Sequence, residues 1–277
     1  MDNKNIEKIS KPFIKWAGGK RNIVSELLER MPASYNKYYE PFIGGGALFF
    51  SIIPEHGFIS DVNSKLILTY LTIKNSPEDL INILDGHIKN HSKEYYYKTR
   101  GKHDLKNPVE IAGRFIYLNK TCFNGLYREN KKGEFNVPIG SCKRISVYDK
   151  ENIMACSDVL QSTSIDASCF NDLNKKNQRP DREDFVYLDP PYHNTFTGYS
   201  ANLFTEQNQK ELRNLCKELD KNKVLFMLSN NDTDFIRELY ADFNIDKIDA
   251  PRSISCKGND RKNAHEVIVT NYEHIKI

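Results

Sequence analysis

The chain has 277 residues, of which 39% are hydrophobic and 28% are charged, proportions typical of a soluble folded protein. No apolar run approaches the roughly 20 residues needed to cross a bilayer, and the mixed-charge start MDNKNIEKIS does not have the pattern of a secretion signal. Six cysteines without a Cys-x-x-Cys pair argue against a zinc site and a disulfide framework. These features predict a cytoplasmic protein without a metal centre.

The first part of the chain predicts alternating helices and strands. The apolar residues of RNIVSELLERM (21–31) repeat on one helical face. The stretch KYYEPFIGGGALFF (37–50) predicts a short strand, a glycine turn and the start of a helix. GFISD (57–61) predicts a second strand that ends in an acidic residue.

The middle of the chain is mainly helical and basic. Helical patterns run from residue 63 to about 118. GLYRENKKGEFNVPIG (125–140) then predicts a hairpin or a structured loop, because Lys-Lys-Gly separates two strand-like pieces. Residues 62–149 contain 15 Lys and Arg against 9 Asp and Glu, although the whole chain has a net charge of only +3. This distribution favours a bound polyanion; an incidentally basic surface is the alternative.

The last third returns to alternation. Its predicted helices cover 206–220, with Thr205 as N-cap, and 233–240; its predicted strands are DFVYL (184–188), KVLFML (223–228), 243–249 and 265–272. KVLFML is continuously apolar, as expected of a strand covered on both faces. The whole pattern predicts the α/β class, a twisted sheet interrupted by a basic helical insert.

Three short motifs carry candidate chemistry near predicted strand ends. In PFIGGGA, Gly44, Gly45 and Gly46 follow a strand, where glycines let a ligand approach the backbone, but the spacing is not G-x-G-x-x-G. Asp61 stands 17 residues after Gly44, at the end of the next predicted strand. There it can accept hydrogen bonds from a ribose. Taken by itself Asp61 favours a cap for the following helix, but together with the glycine turn it favours a nucleoside cofactor.

The other two motifs are FIKWAGGK (13–20) and VYLDPPYHN (186–194). The first contains Trp16, a flat face, and Lys20, a cation suited to a carboxylate; a buried tryptophan beside a surface lysine is the alternative. The second places Asp189 and Tyr192 around two prolines, which predicts either a turn or a pocket for a flat ring that bears an amine.

Together these motifs resemble those of the Dam-type, α-group DNA adenine methyltransferases, and the resemblance runs from about residue 12 to 271. It implies a Rossmann-like sheet that binds S-adenosylmethionine, with an inserted, mainly helical target-recognition domain containing a β-hairpin. The implied catalytic domain covers residues 1–62 and 150–277, and the recognition domain covers 63–149. Double-stranded DNA is the implied partner, GATC the implied target, and a companion restriction endonuclease a possible functional partner.

The resemblance also implies roles for individual residues. The implied catalytic residues are Asp189, Pro190, Pro191 and Tyr192, which would hold the amine of a flipped-out adenine. The implied contacts to S-adenosylmethionine are Trp16, Lys20, Phe42, Gly44, Gly46, Asp61 and Asp189. The implied DNA contacts are Phe123, Leu126, Arg128, Asn130 and Pro138. No metal is needed because the sulfonium carries its own charge, and His193 is not expected to be a general base.

Other positions and functions stay open at this point. Phe170 follows Cys169, where relatives often have an acid, so it is left out of the predicted site. Lys257, Arg261 and Lys262 lie in a polar loop that either contacts phosphates or is simply solvated. Two alternative functions remain, a methyltransferase for RNA adenine or protein glutamine, and a catalytically silent DNA-binding regulator. An intact set of motifs argues against the regulator, and Asp189 in place of asparagine argues against a glutamine substrate.

Overall fold

A computed structural model describes residues 10–141, 147–174, 179–194, 204–250 and 264–274. Within these residues the strands are β1 (Tyr38–Glu40), β2 (Gly57–Asp61), β3 (Thr163–Ala167), β4 (Phe185–Leu188), β5 (Leu225–Asn231), β6 (Asn244–Ala250) and β7 (Ala264–Thr270). The α-helices are α1 (Val24–Glu29), α2 (Phe49–Ile52), α3 (Ser64–Asn75), α4 (Pro77–Lys89), α5 (Lys93–Arg100), α6 (Pro108–Thr121), α7 (Lys150–Leu160), α8 (Glu206–Lys221) and α9 (Asp234–Leu239).

The seven strands form one sheet in the order β3-β2-β1-β4-β5-β7-β6. Strands β1 to β5 pair in parallel, whereas β7 runs antiparallel between β5 and β6. From β1 the chain moves outward through β2 to β3, and from β4 it moves in the opposite direction to β5. The strand order therefore reverses between β1 and β4, which is the position where open α/β sheets bind ligands. The predicted α/β, Rossmann-like fold class is confirmed.

Both faces of the sheet are covered, because neighbouring side chains along a strand point to opposite faces. Tyr38 and Tyr187 belong to a core that includes the helices α3, α4, α6 and α7. Tyr39 and Val186 belong to a second core that includes α8 and α9. This two-sided burial explains why FVYL and LFML read as continuous apolar runs rather than as alternating ones.

Helices α3 to α6 do not have a separate core. Leu80, Tyr96 and Phe115 from this segment belong to the same buried cluster as Tyr38 and Phe185 of the sheet. The helix starts are well defined by their caps: Asn63 accepts hydrogen bonds from two main-chain N–H groups of α3, and Asn107 accepts one from α6. The basic segment thus packs against the sheet through a shared core.

Most predicted elements are present. Strand β2 has the predicted bounds, and Thr205 caps α8 through a reciprocal bond with Asn208. Helix α7 and strand β3, however, were not predicted. The predicted hairpin is a structured loop in which two isolated antiparallel bridges, Cys122 with Ile139 and Glu129 with Phe135, replace continuous strands.

Candidate active site

Two loops lie side by side where the strand order reverses. One follows β1 and contains the glycine turn, and the other follows β4 and contains Asp189 to Tyr192. Because β1 and β4 pair in parallel, with Tyr39 opposite Val186, their carboxyl ends open at the same edge of the sheet. Strand β2 ends at this edge too, in Asp61. The fold therefore brings the sequence-predicted motifs together.

The glycine turn has no space for side chains. Gly44 has φ +45°, and a Cβ atom there would lie 2.6 Å from Cδ1 of Trp16. Gly46 has φ +69°, and its Cβ would lie 2.8 Å from the hydroxyl of Tyr70. Both positive φ values favour glycine. The Tyr70 hydroxyl also donates to the Gly44 carbonyl at 3.0 Å, so a side chain of α3 stabilises the turn.

Asp61 ties the turn to the end of β2. Its carboxylate accepts hydrogen bonds from Gly44 N at 3.2 Å and from Asn63 N at 2.9 Å. Burial raises the pKa of Asp61, and these main-chain donors oppose the rise. The cap of α3 is Asn63, not Asp61. The simple capping role that the sequence allowed for Asp61 is therefore not the one it has.

Asp189 is the centre of a buried charge pair. Its Oδ1 lies 2.9 Å from Nζ of Lys20 and accepts a hydrogen bond from Ser229 Oγ at 2.8 Å. The exposed side-chain fractions are 7% for Lys20 and 17% for Asp189. Burial raises the pKa of Asp189, and the positive charge of Lys20 opposes that shift. The lysine ammonium also lies 4.4 Å from the centre of the Tyr192 ring.

The loop after Asp189 is held by side chains that sequence reasoning missed. Gln209 of α8 donates to the Pro191 carbonyl at 3.0 Å, and Asn230 of β5 donates to Gln209 at 3.1 Å. Gln209 and Asn230 are 1% and 0% exposed. Tyr192 donates its hydroxyl to Glu266 of β7 at 2.7 Å. Buried amides that satisfy one another in this way fix a single loop conformation.

His193 has a structural position. Its ring stacks on Phe235 at 4.6 Å, and its Nδ1 lies 3.0 Å from the hydroxyl of Thr233. Its main-chain N–H donates to Asn230. The ring thus packs against the start of α9; that it does not act as a general base stays a prediction.

Glu40, the last residue of β1, is a second buried carboxyl group that sequence reasoning missed. It is 3% exposed and accepts a hydrogen bond from the Tyr38 hydroxyl at 2.6 Å. Burial raises the pKa of Glu40 to about 8, and the charge of Asp189 contributes in the same direction, against the Tyr38 hydrogen bond. Glu40 is therefore mostly protonated at neutral pH, which reduces the negative charge beside Asp189.

This shift predicts a pH-dependent stability. The folded-state pKa of Glu40 lies above the unfolded value, so its contribution is complete below about pH 4.5 and is lost as pH rises through about 8. Between pH 5 and pH 9 the parent should lose roughly 3 to 5 kcal/mol of unfolding free energy through Glu40. Glu40→Gln should not show this loss. Urea unfolding at the two pH values measures the difference, with the exposed Glu55→Gln as control. An equal loss in the parent and Glu40→Gln would contradict the assignment.

Aromatic rings line the site beyond the glycine turn. Phe42 stacks on Phe170 with ring centres 5.4 Å apart, and Phe204 packs against both rings. Phe170 was left out of the predicted site, yet it lies directly against Phe42, which was included. Trp16 stacks on Tyr127 at 5.6 Å and on Phe115 at 6.3 Å, which joins the glycine turn to the loop after α6.

The comparison with protein families matches residues 16–254 to the D12 class N6 adenine-specific DNA methyltransferases. The chain belongs to this family. It is 43% identical to the type II methyltransferase M1.LlaDCHI of Lactococcus lactis subsp. cremoris, with 95% of each chain covered. It is 40% identical to the type II methyltransferase M.MjaIII of Methanocaldococcus jannaschii, over 95% of this chain and 99% of the relative. It is 34% identical to a DNA adenine methylase of Haemophilus influenzae, over 93% and 92% of the two chains.

The predicted DNA contacts of the methyltransferase lie in and next to the structured loop after α6. Arg128 is half-buried and donates from Nε to Asn136 Oδ1 at 2.7 Å. Asn130 donates to Glu134 at 2.8 Å across the turn. Phe123 is 52% exposed, although it is apolar. Of the two remaining predicted contacts, Leu126 is half-buried and Pro138 is exposed.

Asn136, which sequence reasoning missed, orients Arg128. Its main-chain N–H donates to the Arg128 carbonyl at 3.1 Å while its side chain accepts from Nε. The remaining guanidinium donors are therefore presented from a fixed side chain.

Lys257, Arg261 and Lys262 lie outside the described residues. Among the residues that are described, no cluster of three or more His, Cys, Asp or Glu side chains is arranged to hold a metal ion. None of the helices described combines the length and apolar character needed to span a membrane.

Proposed function

We propose that this adenine-specific DNA methyltransferase transfers the methyl group of S-adenosylmethionine to the 6-amino group of a flipped-out adenine in GATC. The observation that carries the proposal is the position of the Asp189 loop, which lies beside the glycine turn at the reversal point of the sheet. The family supports adenine in DNA as the substrate. Cofactor and target sequence are the parts that need testing.

The residues at the edge of the sheet fit the cofactor. The turn at Gly44 and Gly46 has no side chains of its own, so a ligand could approach its backbone, while Trp16 and Tyr70 fill the space on the Cβ side. Asp61 is at the end of β2, where an acid can accept from ribose hydroxyls. Further proposed contacts are Trp16, Lys20, Phe42 and Asp189. When bound, the sulfonium would supply an electrophilic methyl group, which requires no metal.

The Asp189 loop would prepare the adenine amine for reaction. The amine is a weak nucleophile because its lone pair is delocalised into the ring. Asp189 and the Pro190 carbonyl would accept its two hydrogen atoms and so increase the electron density that faces the methyl group. Tyr192, held by Glu266, offers a face for stacking. Because Pro191 is held by Gln209, these groups are preorganised before the base arrives.

The adenine must leave the duplex to reach this loop, at a cost of about a few kcal/mol. We propose residues 63–149 as the target-recognition domain, since this segment has 15 Lys and Arg against 9 Asp and Glu, whereas acidic residues outnumber basic ones in the rest of the chain. In it Arg128, held by Asn136, would form a bidentate contact with guanine. Phe123, Leu126, Asn130 and Pro138 would make further contacts. Two relatives are named type II methyltransferases, which supports a companion restriction endonuclease for the same sequence.

The test uses purified protein, tritium-labelled S-adenosylmethionine and matched duplexes that contain GATC, GTTC or CATC. We expect label only in GATC, recovered as 6-methyladenine. Label in the CATC duplex as well would keep the chemistry and overturn the target sequence. No label in any DNA, from folded protein that binds the cofactor, would overturn the proposed function in favour of another substrate.

The contact of Arg128 makes a separate prediction. Arg128→Ala should reduce the preference for GATC over CATC by about 5- to 150-fold, because a bidentate guanine contact is worth about 1–3 kcal/mol. Arg128→Lys should not restore the preference, since lysine lacks the planar pair of donors. Competition methylation of the two duplexes measures the ratio. An unchanged ratio in Arg128→Ala, with normal cofactor binding, would assign guanine recognition to another residue.

A further inference from the structure

Two buried hydroxyl groups lie beneath Asp189. Ser229 is on β5 and Tyr187 is on β4, and they are 0% and 1% exposed. Ser229 Oγ is 2.8 Å from Asp189 Oδ1, and the Tyr187 hydroxyl is 3.1 Å from Ser229 Oγ. The three groups form a continuous hydrogen-bonded chain from the core of the sheet to the predicted catalytic carboxylate. We refer to Tyr187 and Ser229 as the hydroxyl pair.

The direction of these hydrogen bonds follows from the chemistry of the groups. An ionised carboxylate only accepts, so Ser229 donates its proton to Asp189. Ser229 Oγ then accepts from the Tyr187 hydroxyl. Burial and the nearby charge of Asp189 raise the pKa of Tyr187, which keeps it a proton donor. Each donor in the chain therefore points toward Asp189.

Ser229 of the hydroxyl pair is held more firmly than Lys20, another donor to Asp189. Strands β4 and β5 are interior strands of the sheet, and their register places Leu188 opposite Leu228, one residue before Asp189 and Ser229 respectively. Serine has one short side-chain torsion, whereas Lys20 has a long flexible stem and lies outside the sheet. Both donors bind Oδ1. If a ligand carboxylate attracts Lys20, Ser229 is still held in place to bind Asp189.

The groups around Asp189 have opposing effects on its ionisation, and Ser229 is one of those that favour the charged form. Burial disfavours the ionised form of Asp189, whereas Lys20 favours it. The Glu40 carboxyl of β1 is also close, since the charge of Asp189 raises its pKa. Tyr192 also faces Asp189 and in turn donates to Glu266 of β7. Ser229 favours the ionised form without adding a charge of its own. A neutral, fixed donor therefore still favours the charged carboxylate when Lys20 is engaged elsewhere.

We propose that Ser229, oriented by Tyr187, is a positioning residue that holds the Asp189 carboxylate charged and correctly turned toward the amine of the target base. The inference rests on the proposed function, because it assigns a support to the carboxylate that this function uses. It adds two residues to the machinery, neither of which contacts the substrate. Their effect on the reaction is exerted through Asp189 alone.

The test is the pH dependence of methyl transfer by the full-length protein, from about pH 5 to 9. Ser229→Ala should lower kcat at neutral pH by about 10- to 100-fold and change KM for DNA much less. The acid limb of its pH profile should move to higher pH, because Asp189 loses a donor that favours its ionised form. Tyr187→Phe should move the limb in the same direction by a smaller amount, since Ser229 remains.

A matched control separates this role from a general loss of packing. Tyr39→Phe also removes a buried tyrosine hydroxyl from the sheet, but Tyr39 belongs to the core on the other face. The kcat and pH profile of Tyr39→Phe should match those of the parent. Thermal unfolding checks each variant. If Ser229→Ala fails to fold, Tyr187→Phe, which removes one oxygen and keeps the ring, still tests the proposal.

Two outcomes would overturn the inference. One is an unshifted acid limb in both Ser229→Ala and Tyr187→Phe; the other is an equal shift in Tyr39→Phe. Both are distinguishable from failure of the proposed function, in which the parent itself would transfer no methyl group to DNA. A parent that methylates DNA while the hydroxyl-pair variants keep its pH profile would leave the function standing and remove the hydroxyl pair from it.

Discussion

Asp189→Ala is expected to reduce methyl transfer by about 10²- to 10³-fold, because it removes the acceptor that we propose for the reacting amine. It also leaves the ammonium of Lys20, 7% exposed, without its partner at 2.9 Å. Breaking a buried ion pair from one side costs about 3–5 kcal/mol of stability. The variant should therefore be both inactive and less stable than the parent.

Asp189→Asn separates the two effects. The amide keeps the shape and one acceptor, so we expect a smaller loss of stability but little recovery of activity, since the negative charge is gone. Single-turnover methylation and urea unfolding measure the two quantities. Asp242→Ala, at an exposed carboxylate paired with Arg213 and Lys217, serves as a control that should keep full activity. An Asp189→Ala protein that retains more than a tenth of the parental rate would mean that the carboxylate is not the main acceptor.

Gly44→Ala is expected to have the second large effect. The new Cβ would lie 2.6 Å from Cδ1 of Trp16, at a backbone φ of +45° that disfavours any side chain. The overpacking and the backbone strain should together cost about 1–3 kcal/mol of stability. Because Gly44 N also donates to Asp61, the turn and the predicted ribose acceptor should move together. We expect affinity for S-adenosylhomocysteine to fall at least about 10-fold, since that site needs a preorganised backbone.

Gly86→Ala provides the contrasting substitution. Gly86 lies inside α4, and a Cβ there would meet no atom within 4 Å. The alanine should stabilise the protein by about 0.5–1 kcal/mol through helix propensity and leave cofactor binding unchanged. Calorimetry with S-adenosylhomocysteine and urea unfolding measure both variants. Equal cofactor affinity in Gly44→Ala and Gly86→Ala would show that the turn is not part of the cofactor site.

The elements that sequence patterns predicted well are those whose burial is regular. FVYL and LFML are apolar on both faces, and α8 begins with a recognisable cap at Thr205. Strand β3 was missed because TSIDA has one large apolar residue and lies at the sheet edge, half-exposed over much of its length. No alternation of apolar and polar residues exists there to be detected.

In the candidate site, too, some residues could be predicted from the sequence and others could not. The chemical groups of Asp189, Tyr192 and Asp61 lie next to strand ends, so strand prediction was enough to bring them to one edge. Their supports come from distant parts of the chain: Ser229 is 40 residues from Asp189, and Gln209 is 18 residues from Pro191. The raised pKa of Glu40 likewise depends on what covers it. A single sequence does not reveal such pairings, because each polar residue taken alone is equally suited to the surface.

Trp16 connects the glycine turn to the loop that contains Arg128. It packs against the glycine turn on one side and stacks on Tyr127, next to Arg128, on the other. A loop grafted from a relative would need an aromatic residue at position 127 to keep the surface on which the tryptophan packs. We expect altered target preference to evolve through side-chain changes that keep this stack, rather than through exchange of the whole loop. The proposed DNA-reading loop and the proposed cofactor site thus share one packing contact and are not independent of each other.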